Sequence, residues 1–183
     1  TGHCTGNCFA VPVNLIVRRV VNMKSNTKLY THEDASCLEL LRYGRDHISA
    51  STHLFVTDDL RLYDSAGFLA HLGIELYLKA TLLHLTGYFP SGHFVADLAL
   101  EINKASSLIS DEIVGELKWL DSLWNLKYPN LKAPVELGTE DVWRFTELVK
   151  ALILVLPDGL MQQLRDSDPT EKGGRLWMER PIS

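Results

Sequence analysis

The chain has 183 residues, of which 46% are hydrophobic, 22% charged and 9% aromatic. That composition excludes a disordered or low-complexity protein, and the length suits about one domain with a core that needs no metal or disulfide staples. With 18 Lys and Arg against 23 Asp and Glu, the net charge is −5, which excludes a broad phosphate-gripping face and leaves polyanion contact to a local pocket.

Residues 1–30 read as a poorly structured N-terminal extension. His3, Cys4 and Cys8 lie close together, but no second ligand pair follows, so no metal site is expected. Three cysteines, Cys4, Cys8 and Cys37, are an odd and sparse count that fits a reducing, cytoplasmic compartment. The apolar run Phe9 to Val17 is interrupted by Pro12 and Asn14 and is too short to span a bilayer. Its arginines follow it, unlike those of a signal peptide. No membrane partner is expected. Met23 opens a more typical start, so residues 1–22 are expected to lie outside the native one.

Residues 31–165 read as a helical bundle. Thr31 is placed to cap a first helix, with His32, Glu33 and Asp34 in its first turn. Leu38, Leu41, Ile48 and Phe55 follow at near-helical spacing. The second helix runs from about Leu60 to Leu85 and ends at Gly87, a suitable residue just past a C-terminus. It is apolar on two sides, the pattern of a central helix. Between those sides lies a stripe four residues apart: His71, Glu75 and Lys79. Tyr88 to Gly92 reads as a turn and His93 to Ala105 as a shorter helix. Ser110 caps the next helix, whose apolar line is Ile113, Leu117, Leu120 and Trp124 and which ends at Lys127-Tyr128-Pro129. Thr139 is placed to cap the last long helix, which Pro157-Asp158-Gly159 stops or kinks. Residues 166–183 read as a tail. No segment shows sustained alternation, so the expected fold is all-α: an antiparallel up-and-down bundle of about five helices.

Several chemistries are excluded. The sequence holds no glycine-rich phosphate loop, no H-E-x-x-H, no G-x-S-x-G and no Glu followed three residues later by His. No cofactor is implied. Glu75 and Lys79 can pair along one helix face. Their apolar flanks place that pair in a groove, either as a structural ion pair or as a site at a helix or subunit seam for phosphate, ribose or base. Lys127 beside Tyr128 offers a cation and an aromatic face for the same purpose, or simply a solvated amine and a packed ring. Trp119, Trp124 and Trp143 read as core or interface anchors.

The run Ala70 to Leu83 resembles the second-helix signature of HEPN domains, E-x-x-L-K-A, matched by Glu75, Leu78, Lys79 and Ala80. Gly87, Pro90, Gly92-His93 and Leu98 resemble the family's next stretch, and Asn125 to Pro129 resembles its N-x-x-R-Y-P segment, with Lys127 where Arg is usual. The resemblance implies a helical bundle that tends to homodimerise. It also implies one of three roles: a metal-independent ribonuclease, a toxin paired with a nucleotidyltransferase, or a noncatalytic nucleotide- or RNA-binding module. The ribonuclease branch carries a late Arg followed after four to six residues by His, for phosphate stabilisation and proton transfer. No His follows His93 in this chain. Arg42 and His47 match the spacing, but on the first helix. The expected function is therefore a noncatalytic or degenerate HEPN-like protein that binds nucleotide, RNA or a nucleotidyltransferase at His71, Glu75, Lys79, Lys127 and Tyr128. The alternatives are a ribonuclease toxin using Arg42 and His47, or His93, and a purely structural dimerisation module.

Overall fold

The computed structural model describes residues 27–57, 59–127 and 136–167. Among them are six α-helices and two short strands. They run in the order β1 (Leu29–Thr31), α1 (Cys37–Val56), α2 (Tyr63–Thr86), β2 (Tyr88–Pro90), α3 (Val95–Ser106), α4 (Asp111–Ser122), α5 (Thr139–Val155) and α6 (Asp158–Ser167). Single 3-10 turns, Leu60–Leu62 and Leu123–Lys127, lead into α2 and follow α4. The all-α bundle expected from the apolar periodicity is what forms.

α2 is the axis of the fold, touching α1, α3, β2 and the 3-10 turn after α4. Ile74, Leu78, Leu82 and Leu83 are all buried, so the middle of the helix is covered on more than one side. The segment Leu60–Thr86 is long and apolar enough to cross a membrane by length and composition, but 78% of its most apolar window is buried in this fold. Gly87 ends it with φ +82°, and its N–H donates to the Leu83 carbonyl at 2.9 Å. That left-handed backbone favours glycine.

α1 and α2 approach through two glycines. A Cβ on Gly73 would sit 2.8 Å from the Gly44 carbonyl oxygen, and one on Gly44 would sit 2.9 Å from the Gly73 carbonyl oxygen. The hydroxyl of Ser51 crosses the same seam to the Ala66 carbonyl at 2.8 Å.

Several local expectations are corrected. Tyr88 to Pro90 is not a turn but a strand, paired antiparallel with β1 in the register Tyr30 opposite Phe89. Those two rings stack at 5.3 Å. Leu29 and Tyr30 thus belong to the folded unit, whose boundary had been expected after residue 30. Thr31 is held in that sheet, so α1 starts later, capped by Ser36, whose Oγ accepts from the Glu39 N–H at 3.1 Å. Thr139 is the first residue of α5 and not its cap; the Asp141 carboxylate accepts from the Gly138 N–H at 2.8 Å instead. Pro157 separates α5 from a further helix, α6, whose Leu160, Met161 and Leu164 are buried. Asp166 and Ser167 of the expected tail belong to α6; residues 1–26 and 168–183, with the rest of the tail and the start-site expectation, lie outside the described residues.

Candidate functional site

Four-residue spacing on α2 puts His71, Glu75 and Lys79 on one face, and all three are buried: 0%, 2% and 7% exposed. The Lys79 ammonium donates to Glu75 Oε1 at 2.6 Å. Removing both charges from water costs several kcal/mol per ion (about that order), which close pairing offsets only in part. Lys79 Nζ also lies 5.6 Å from the centroid of the Phe89 ring. β2 therefore supplies an aromatic wall beside the ammonium.

His93 links the pair to the surface. His93 Nδ1 lies 3.1 Å from Glu75 Oε1 and 3.3 Å from Oε2. Its side chain is 53% exposed, and its ring stacks on Trp124 at 4.6 Å and 14°. A carboxylate only accepts, so the proton of this contact sits on Nδ1. Gly92 and Phe94, the chain neighbours of His93, line an open groove of about 790 Å³ with Asp97, Glu101 and Lys104. Burial, and then the charge of Glu101, pushes the Tyr88 phenol up from its ordinary value.

A second polar unit braces the first. His71 Nε2 lies 3.2 Å from Asp121 Oδ1. The same carboxylate accepts from the Val95 N–H at 2.7 Å and the Ala96 N–H at 3.2 Å. Phe94, at the head of α3, has no side-chain oxygen, so α4 supplies the cap that α3 lacks. His71 also lies 5.2 Å from the Trp124 ring, which makes Trp124 a wall shared by both histidines. Among the described residues, His71 Nδ1 is buried without a hydrogen-bond partner.

The structure thus brings together His71, Glu75 and Lys79, and adds His93 to them. Lys127 closes the 3-10 turn that carries Trp124, while Tyr128 lies outside the described residues. Arg42 and His47 sit on α1, five positions apart, and so point to different sides of that helix. Of the three tryptophans read as anchors, Trp143 is exposed on α5. Trp119 lies beneath the Arg144 guanidinium, 4.2 Å away. Asp121 and Phe89 were not singled out in the sequence. Asp121 left one trace there, an α3 start with no capping residue of its own. No group of three His, Cys, Asp or Glu side chains among the described residues could hold a metal ion.

The fold and this cluster define a helical bundle built around a buried acid–amine pair. A family model, the HEPN domain, matches residues 38–157, well over half of the chain. The chain belongs to the HEPN family, which at family level supports a nucleotide- or RNA-associated or toxin-type function. No curated protein and no solved structure matches the chain.

Proposed function

We propose that this protein is a noncatalytic or degenerate member of the HEPN family. In this reading it binds nucleotide or RNA, or a nucleotidyltransferase partner, at the cluster of Glu75, Lys79 and His93. One observation carries the reading: the Glu75–Lys79 pair is buried, yet it opens to the surface through a half-exposed His93 stacked on Trp124. A pair serving the core alone has no need of a solvent-facing imidazole, whereas stacked rings beside polar groups suit a ribonucleotide. The late Arg and His of the ribonuclease branch are missing, since no His follows His93. Arg42 and His47 do not share a helix face that could replace them. The pair is buried within a single chain, so the site does not need the homodimer seam considered from the sequence. Dimerisation stays part of the proposal and is read by light scattering.

Calorimetric titration with ATP and with a short single-stranded RNA tests binding, and a mixed RNA pool in EDTA tests cleavage. Binding without cleavage is expected. Cleavage lost in His47→Ala or His93→Ala would establish a ribonuclease instead. Absence of binding at millimolar ligand would leave only the structural module.

A further inference from the structure

Tryptophan is highly buried on average, yet Trp143 on α5 is 68% exposed. It lines a groove of about 680 Å³ formed by α4 and α5, elements other than those that carry Glu75, Lys79 and His93. Its surroundings repeat a unit that the protein fills once already. On α4, Glu116 precedes Trp119 by three residues, so carboxylate and ring share a helix face. Arg144 occupies that unit: its guanidinium lies 4.2 Å from the Trp119 ring centroid, and its Nη2 lies 3.2 Å from Glu116 Oε1. On α5, Glu140 precedes Trp143 by the same three residues. Among the described residues no cation lies over the Trp143 ring, and the exposed Glu140 has no ion-pair partner.

We propose that the groove between α4 and α5 docks an arginine-bearing segment of a partner protein, whose guanidinium takes the place over Trp143 and Glu140 that Arg144 takes over Trp119 and Glu116. The charge of the groove selects this occupant. Glu112, Glu116, Glu140, Asp141 and Glu147 line it, and among the described residues Arg144 is the cation in that lining. Lys150 offsets Glu147 from the side, at 2.8 Å. The first turns of α4 and α5 carry Glu112, Glu140 and Asp141, where the helix dipoles favour acids. Glu116 and Glu147 extend the same sign beyond them. A nucleic acid is repelled from such a lining, whereas a basic segment is steered to it. The planar guanidinium can stack on an indole and bond a carboxylate at once, which an ammonium does less well. Tryptophan and arginine are also the side chains that most often anchor protein interfaces. The proposal is independent of the nucleotide-binding reading.

The test titrates the full chain with hexa-arginine and with hexalysine at low salt, reading affinity by calorimetry and the Trp143 indole by nitrogen-15 chemical shift. Trp143→Ala and Glu140→Gln alter the unit. Glu33→Gln makes the same change of charge outside the groove, and thermal melting confirms that each variant is folded. The wild type is expected to show a saturable shift at the Trp143 indole and to favour hexa-arginine by about threefold to tenfold. Trp143→Ala is expected to weaken hexa-arginine by about twofold to fivefold, the worth of an exposed cation–ring contact. Glu140→Gln is expected to weaken it as well, and Glu33→Gln to leave it unchanged. Equal affinity for the two peptides, or an affinity that Trp143→Ala does not alter, overturns the proposal and leaves only the general attraction of an acidic protein for cations. No binding at millimolar peptide overturns it too. So does light scattering that shows a dimer in the wild type and a monomer in Trp143→Ala, because a second copy then covers the groove.

Discussion

The two sides of α2 solve opposite problems. Toward α1 the helix presents glycine, and Gly44 and Gly73 let two backbones close, with a hydroxyl bond across the seam from Ser51 to Ala66. Toward β2 and the start of α3 it presents His71, Glu75 and Lys79, three polar groups in a setting that penalises each of them. The first side is tightly packed. The second gives up stability to keep an acid, an amine and two imidazoles in fixed positions near the surface. A helix needed only for packing would resemble the first side throughout.

The largest expected effect breaks the polar side. Lys79→Met leaves the Glu75 carboxylate buried with only His93 beside it. It should cost about 3–5 kcal/mol, the usual penalty for removing one member of a buried pair. The paired replacement Glu75→Leu with Lys79→Met sharpens the comparison. It should be no less stable than wild type, because apolar groups of similar volume need no compensation, while nucleotide binding is lost. Urea denaturation of the single and double variants measures both. If the double variant were as unstable as Lys79→Met, the charges would be holding the fold together, and the contrast between the two sides would collapse.

The packed side is broken by Gly73→Ala. The added carbon would meet Ile48 Cγ1 at 2.6 Å and the Gly44 carbonyl at 2.8 Å. Overpacking should cost about 1–3 kcal/mol, against the roughly 1 kcal/mol that alanine ordinarily gains over glycine in a helix. A lowered melting temperature with ligand affinity intact is the expected result. Asp121→Asn probes the brace within the polar side. The amide keeps one acceptor oxygen for three donors, so a loss of about 1 kcal/mol is expected, together with weaker ligand binding as the start of α3 loosens around His93. The smallest effect lies far from the site. Burial raises the Cys37 thiol, with a backbone hydrogen bond acting against it. Cys37 should therefore alkylate with iodoacetamide more slowly in the folded protein than in urea, as peptide mass mapping will show.

The sequence made α2 legible because two independent signals agree there: leucines on two sides and a glycine placed to stop the helix. The stripe of His71, Glu75 and Lys79 was legible for the same reason, since a regular helix converts spacing directly into a shared face. The strands were not. β1 and β2 have three residues each, too few for alternation to appear, and they pair across the whole of α1 and α2. Thr31 reads as the cap of the first helix, but the sheet claims it and Ser36 caps instead. His93 reads in the sequence as the first residue of a short helix. Its bond to Glu75 spans eighteen positions, and no local pattern reports a contact of that range. Trp124 was placed as an anchor; that it stands between two histidines depends on how α4 meets α2.

The central claim is that the Glu75–Lys79–His93 cluster is a ligand site and not only a structural pair. The most direct measurement is a nitrogen-15 chemical-shift titration of the full chain with ATP and with a short single-stranded RNA. The account expects saturable shifts at His93, at Phe94 and at the Trp124 indole, while Gly44, Gly73 and the other indoles stay still. Shifts confined to the α1 seam or to α5, or no shifts at millimolar ligand, would contradict it.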